Sequence, residues 1–478
     1  MRIAYVLTLV AACGGSHGDD NERPDGSGTV DAPDEPFVPA THFADQAENY
    51  PIPASGLSDG FGRSFSFASY RYWATIDLDG DRYLDIVHTS DTAFTARIWD
   101  ATGTPYWKVY AGSATGWTLA AQNYAVPQPA LTAGFYAVSL SNAGEWRTLD
   151  MNGDGRRDLV HTADPATNAV WDAAGSPHWK VFLGTASGFD PTAIAWPVPV
   201  SGTTGGFYKA TMSSASSQWV LLDITSDGKP DLIQTCDPAT TRVWDSASAP
   251  HWKVYVNTGS SFESQATLWS VPQNGFIDGF YVTTMSSGVR QWSLVDLDAD
   301  GRLDLVQTAD TATGAVWDAS GSPYWKLFRG TASGFASASM SWRVPSSGLS
   351  DGFFAAKSDA SYRYWTLVDI DGDDDLDLVQ TGDTSFAQRA WDASGSPYWK
   401  VFANTGEGFS PMLHRWNVPK GPTDGFFDTD ASSGYLDWFV ADIDVDGYLD
   451  LVHTMNPVTG VAWDAAGSAY WKVFRGQP

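Results

Sequence analysis

Asp77, Asp79, Asp81 and Asp85 stand at positions one, three, five and nine of a short run and place four carboxylates where a hard cation would collect them. Calcium takes roughly six to eight oxygens at about 2.3–2.6 Å, and alternate residues of a tight loop converge on one point. The main-chain carbonyl of Tyr83, at position seven, would complete the set. The run returns as Asp296, Asp298, Asp300 and Asp304 with Arg302 at position seven, as Asp369, Asp371, Asp373 and Asp377 with Asp375, and as Asp442, Asp444, Asp446 and Asp450 with Tyr448. Two copies depart from it. Asp150, Asn152, Asp154 and Asp158, with Arg156, keep a neutral ligand at position three, whereas Asp223, Thr225, Asp227 and Asp231, with Lys229, put a poor one there. Up to six calcium ions are expected, the Asp223 loop being the weakest site. Without metal, carboxylates about 4 Å apart repel by roughly 4 kcal/mol per pair at an effective dielectric of about 20, so the fold should loosen in chelator.

Rival chemistries fit less well. An EF-hand requires a bidentate Glu at position twelve between helices, but here that position holds His88, His161, Gln234, Gln307, Gln380 or His453. Asx-turns alone would explain one loop, not 22 carboxylates spaced alike in six copies. The three histidines suggest a general base, yet Gln cannot take that proton; the slot's shared task reads as hydrogen bonding, and no catalytic residue is assigned. His178 and His251 replace the Tyr of Tyr106, Tyr324, Tyr398 and Tyr470, so that position wants a flat ring. No serine nucleophile motif, phosphate loop or Cys/His cluster is found. Repeated pairs such as Trp317-Asp318 and Trp325-Lys326 offer aromatic faces beside charged hydrogen-bonding groups, which suit sugars. The alternative is that the Trp rings pack between structural units while Asp318 and Lys326 pair across a hairpin.

The elements that position these residues follow from the spacing. The first aspartates are separated by five intervals of 73 residues, and Trp73, Trp146, Trp219, Trp292, Trp365 and Trp438 stand four residues before them. In one copy, Trp365 to Asp369 is apolar on both faces, Leu376 to Thr381 follows the loop, Tyr398 to Phe402 is a third strand and Phe409 to Pro419 a fourth. Trp391-Asp392 and Gly395-Ser396-Pro397 form a hairpin arm between strands two and three. Strands without a solvent face must be covered on both sides, as blades around a propeller axis are. The last copy stops at Phe474, before its fourth strand, and the missing piece lies at the other end: Phe43, Tyr50, Ile52 and Pro53 match Phe335, Trp342, Val344 and Pro345 at an offset of 292, four periods. The expected fold is all-β, a six-bladed propeller of four-stranded blades over residues 41–478, closed by Thr41 to Pro53. The 50 Asp against 6 Glu agree with few helices.

Residues 41–478 resemble the FG-GAP and VCBS repeat families, which include the N-terminal propeller of integrin alpha subunits. The resemblance rests on the aspartate loops, on Leu376-Asp377-Leu378-Val379 and on Phe402 to Phe409. It implies a calcium-loop propeller whose members mostly bind proteins or glycans. A full FG-GAP signature is absent, with Gly352-Phe353-Phe354 in its place, and six copies differ from the seven integrin blades, so no integrin partner follows. The N-terminus adds an address. Val10-Ala11-Ala12-Cys13 resembles a bacterial lipobox, making 1–12 a signal peptide, Cys13 the lipidated residue and the Gly/Ser/Asp/Pro-rich 13–40 a flexible tether. The apolar run before it is too short to span a membrane. An exported outer-membrane or cell-surface lipoprotein is expected, with secretion as the alternative and contact with membrane only through the lipid. A net charge of -28 speaks against nucleic acid. The expected role is a monomeric, non-catalytic module binding a surface protein or a glycan; a lectin using the Trp/Asp/Lys arms and a polysaccharide-acting enzyme such as a lyase are the alternatives.

Overall fold

The computed structural model describes residues 39–55, 60–62, 65–66, 73–91, 98–128, 135, 145–210, 219–273, 280, 292–310, 312–348, 352–355, 365–383, 389–421, 426 and 438–478. The expected signal segment, Cys13 and nearly all of the tether lie outside them. The described residues form six antiparallel four-stranded blades in a ring. Blade one is Trp73–Ile76, Asp85–His88, Tyr106–Tyr110 and Gln122–Ala125. Blade two is Trp146–Leu149, Asp158–His161, His178–Phe182 and Ile194–Pro197. Blade three is Trp219–Leu222, Asp231–Gln234, His251–Tyr255 and Thr267–Ser270. Blade four is Trp292–Val295, Asp304–Gln307, Tyr324–Phe328 and Met340–Arg343. Blade five is Trp365–Val368, Asp377–Gln380, Tyr398–Phe402 and His414–Asn417. Blade six is Trp438–Ala441, Asp450–His453, Tyr470–Phe474 and, from the other end of the chain, Glu48–Pro51.

Burial explains the strand sequences. Every residue of each second strand is buried, so those strands carry no solvent face. The outer strand buries one aromatic, which sits directly opposite the third-strand Trp: Tyr124 on Trp107, Trp196 on Trp179, Trp269 on Trp252, Trp342 on Trp325, Trp416 on Trp399 and Tyr50 on Trp471. Burying a ring of about 200 Å² is worth roughly 5 kcal/mol before conformational entropy is subtracted. Cys236 is fully buried, the small filler its position requires, and its thiol donates to the Asp237 carbonyl at 3.4 Å.

One expected boundary changes. Phe409 does not begin the fourth strand, which is His414–Asn417. It sits instead in a short clasp between strands three and four that reaches back to the preceding blade, where its amide donates to the Arg343 carbonyl at 2.9 Å. Phe262 reaches Pro197 in the same way at 3.1 Å and Trp117 reaches Pro51 at 3.1 Å. Gly188 pairs with Ala125 and Gly334 with Ser270. Blade six again borrows from the N-terminus, with His42 pairing with Asn417 of blade five. The N-terminal segment therefore supplies both the clasp and the outer strand of the last blade, and no open sheet edge is left at the join. Ala40, placed in the tether by composition, is buried, and its amide donates to the Asp371 carbonyl at 2.8 Å. It belongs to the same buried apolar cluster as Ile370 and Trp399.

Candidate metal centre

Each aspartate run connects the first two strands of its blade, at the same end of the ring as the clasps. Two left-handed residues bend every loop. Position six is Arg82, Gly155, Gly228, Gly301, Asp374 or Gly447, with φ between 70° and 94°, and position four is Gly80, Gly153, Ser226, Ala299, Gly372 or Val445. A β-branched residue such as Val445 at φ 61° is strained. The first aspartate holds this bend: Asp150 accepts from the Gly153 and Gly155 amides, both at 2.8 Å, and Asp223, Asp296 and Asp442 accept from Gly228, Gly301 and Gly447 at 2.8–3.0 Å. Position five accepts from the amide of position seven in all six loops, as Asp81 does from Tyr83 and Asp446 from Tyr448, both at 2.9 Å.

The ninth-position aspartate joins the loop to the clasp. One oxygen of Asp85, Asp158, Asp231, Asp304, Asp377 or Asp450 accepts the amide of Gly112, Gly184, Asn257, Gly330, Asn404 or Gly476 at 2.8–3.0 Å. Neighbouring blades are tied in as well: the Asn257 amide side chain donates to the Met151 carbonyl and that of Asn404 to the Leu297 carbonyl, both at 2.9 Å.

In four loops three carboxylates offer oxygens within 4.8 Å of one another: Asp77, Asp79 and Asp85; Asp296, Asp298 and Asp300; Asp369, Asp371 and Asp373; Asp442, Asp444 and Asp450. These triads can hold a metal ion. The donor set fits one, because buried oxygens of Asp298, Asp371, Asp377 and Asp444 have no hydrogen-bond partner among the described residues, and an uncompensated buried carboxylate oxygen is costly. Burial first, and neighbouring carboxylates after it, push Asp85 and Asp304 up to about 7 and Asp377 and Asp450 up to about 8. Asp371 rises to about 7, and Asp158, Asp369 and Asp444 to about 6, with burial again the largest cause.

The two variant loops close on themselves. The Thr225 hydroxyl donates to Asp231 at 2.9 Å, Lys229 pairs with Asp227 at 2.9 Å, and the Asn152 amide donates to Asp154 at 3.1 Å. The aspartate spacing marks the Asp223 loop as weakest but does not reveal that basic side chains enter other loops. Arg475 lies 2.6 Å from Asp444 and Arg329 pairs with Asp298. The signal was available as an arginine just after the third strand in two copies only.

The hairpin arms lie at the opposite end of each blade, and here two expectations are corrected. Trp325 is wholly buried, with its indole N–H donating to the Phe353 carbonyl at 2.6 Å, and so presents no face to a ligand. The same bond joins Trp179 to Phe207 and Trp471 to Phe61. Lys326 does not pair with Asp318: its ammonium lies over the Trp317 ring, 4.5 Å from the centroid, while Asp318 caps the turn by accepting the Ser322 amide at 2.9 Å. Half-buried Trp317 stacks on Tyr324 at 6.1 Å. In the position-twelve slot the expected hydrogen bond is seen at Gln234, whose side-chain amide donates to the Ser201 carbonyl at 3.4 Å, but not at Nε2 of two of the histidines. Nε2 of His88 and of His161 has no partner among the described residues; the rings instead pack edge-on against Trp99 and Trp171, at 4.6 and 5.4 Å. Burial, with a nearby lysine second, lowers His88 to about 3 and His161 and His453 to about 4.

No family model and no curated protein sequence matches the chain. Among solved structures it is similar to an Agrocybe aegerita lectin described by its specific recognition of non-reducing terminal N-acetylglucosamine, at 14% identity over 86% of this chain and 84% of that one, with a TM-score of 0.42. It is also similar to an α-L-arabinofuranosidase from Fusarium graminearum in complex with an iminosugar inhibitor, at 10% identity over 90% and 98%, with a TM-score of 0.38. At these scores neither likeness bears on what this chain binds.

Proposed function

We propose that the chain is a calcium-stabilised propeller of the FG-GAP/VCBS type, exported as a lipoprotein on Cys13, that displays a non-catalytic surface for recognising a protein or a glycan outside the cell. The calcium reading is carried by the partnerless buried oxygens of Asp298, Asp371, Asp377 and Asp444. All are hard anionic donors with no thiolate or imidazole among them, and adaptable carboxylate loops suit calcium better than the strict octahedron of magnesium. In blade one Asp77, Asp79 and Asp85 would be joined by Asp81 and the Tyr83 carbonyl; the other all-aspartate loops would use the same positions. Bound calcium supplies positive charge where carboxylates crowd. The chain's own residues bend the loop and carry its position to the clasp through the ninth aspartate.

Two features support recognition rather than catalysis. The repeated titratable slot at His88, His161 and His453 is buried, held neutral and filled by Gln234, Gln307 and Gln380 in the other copies. At the arm end six Trp–Lys pairs recur around the ring, five of them with a half-buried ring and the sixth with the buried Trp99, giving a multivalent rim of aromatic edges and cationic groups. A glycan ligand would use Trp317, Tyr324 and Lys326 without Trp325.

The test is a glycan array probed with the full chain in calcium and then in chelator. A calcium-dependent hit that Trp317→Ala abolishes is the outcome expected of a glycan ligand; silence from folded protein directs the search to a protein ligand. Product formation from a polysaccharide would overturn the non-catalytic reading.

A further inference from the structure

The six loops share a backbone course but not a charge balance, and the difference comes from position seven of the run, where Lys229 pairs with Asp227 and Arg302 with Asp300 at 3.6 Å, and from residues outside it. In blade six Arg475 follows the third strand and brings Nη1 to 2.6 Å from Asp444 and 3.3 Å from Asp450. The same guanidinium reaches Glu48 of the closing strand at 3.3 Å and the Ala114 carbonyl at 3.1 Å. In blade four Arg329, at the equivalent position, pairs with Asp298. Blades one and five have Ala111 and Ala403 there. Among the described residues no Lys or Arg forms an ion pair with an acid of loop one or loop five, although the charge of Arg157 reaches Asp77 at longer range.

Loop five is the extreme case. It carries acids at positions one, three, five, six, seven and nine, Asp369 to Asp377. It also keeps a buried oxygen that other loops use up. Elsewhere the second oxygen of the ninth aspartate accepts a loop amide: Leu78 at 3.1 Å, Met151 at 2.9 Å, Thr225 at 3.2 Å, Leu297 at 3.1 Å and Ile443 at 3.3 Å. Asp377 is 1% exposed, gives one oxygen to the Asn404 amide at 2.8 Å, and holds the other without a partner. Asp371 contributes a second buried oxygen without a donor. Among the described residues loop five therefore has two buried oxygens without a partner and no counterion, whereas loops four and six each have one such oxygen and guanidinium groups already in place, Arg329 and Arg302 in loop four and Arg475 in loop six.

Resting on the calcium reading above, we propose that loop five is the primary calcium site and that Arg475 and Arg329 are built-in counterions which calcium must displace. The loops then fill in the order five, one, four, six. Arg329 is half exposed and gives way more easily than Arg475, which is only 12% exposed and held by three further contacts.

The test is calorimetric titration of calcium chloride into the chelator-stripped full chain. Asp371→Asn should remove the tightest phase, and Asp444→Asn should leave that phase intact while removing a later one. Arg329→Gln, chosen because Arg329 takes no part in ring closure, should tighten a later phase by about tenfold, the factor that one displaced ion pair would hold back. Loss of the tightest phase in Asp444→Asn, equal affinities in the wild type, or an unchanged profile in Arg329→Gln would overturn the ordering while leaving calcium binding in place. A wild-type chain with no calcium heat and no calcium-dependent shift in melting would instead sink the calcium reading, and the ordering with it.

Discussion

At the arm end of the ring a lysine ammonium lies over a tryptophan in all six blades, at 3.4–4.7 Å from the ring centroid. At the loop end the position-three ligand is Asp, Asn or Thr, and the local counterion is an arginine, a lysine or absent. The arm end is bounded by packed rings, which tolerate little change in shape. The loop end is bounded by hydrogen bonds from backbone amides, which fix its course whatever the side-chain charge. Copies can therefore drift in electrostatics at one end while their packing stays uniform at the other.

Calcium removal should separate the two ends most strongly. If calcium stands about tenfold above each dissociation constant, mass action adds roughly 1.4 kcal/mol per site, or about 6 kcal/mol over four all-aspartate loops. Thermal melting in chelator should drop accordingly, and hydrogen exchange should rise first at the loop and clasp amides, such as Gly330 and Asn404, rather than in the third strands. Uniform loosening of both ends would break the contrast.

Within the arm end, Trp325→Ala should cost about 3–5 kcal/mol, since it deletes a core ring and orphans the Phe353 carbonyl, whereas half-buried Trp317→Ala should cost about 1 kcal/mol. Urea melts of the calcium-loaded protein check the pair. Equal losses would mean that both tryptophans serve the core alike. The residues at issue also show how far the sequence could be read. The 73-residue period, the aspartate spacing and the match of Tyr50 to Trp342 gave the ring, its closure and its loops, because each depends on contacts within one repeat unit. Trp325 and Trp317 look equivalent on paper; only the curvature of the blade and the Phe353 segment folding over it decide which ring is covered. The reach of Phe409 to Arg343 and of Arg475 to the Ala114 carbonyl crosses between units, and no spacing within one copy encodes it.

The two ends should also answer pH with opposite signs. At the loop end burial raises the folded-state values of Asp85, Asp304, Asp377 and Asp450 to about 7 or 8. Their contribution in the metal-free protein is thus present below the unfolded value of about 4 and lost as pH rises towards 8. At the arm end burial lowers His88, His161 and His453 to about 3 or 4, so theirs is present above about 6.5 and lost as pH falls through the folded values. Metal-free melts should show the loops weakening between about pH 4 and 8 and the histidine slot weakening below about pH 6.5. Saturating calcium should flatten the first trend and leave the second, and a second trend abolished by calcium would show that the ends are not independent.

The smallest expected effect isolates what the arm lysine does. Lys326→Met keeps most of the aliphatic stem that covers Trp317 but removes the ammonium 4.5 Å from its ring, so only the cation–π attraction is lost. At a half-exposed site this is worth about 0.5–1 kcal/mol, small enough to be set by one blade in six without moving the ring. Urea melts should show a shift of that size, insensitive to calcium because the substitution lies at the far end of the blade from the aspartates. If the recognition surface is this rim, binding to a ligand should fall further than stability does, since the removed ammonium is a partly exposed group available for contact. A loss of stability that grows in chelator would instead mean that the Trp–Lys pair and the metal loop are coupled through the second and third strands, and the uniformity of the six arms would then reflect load passed from the loops rather than local packing.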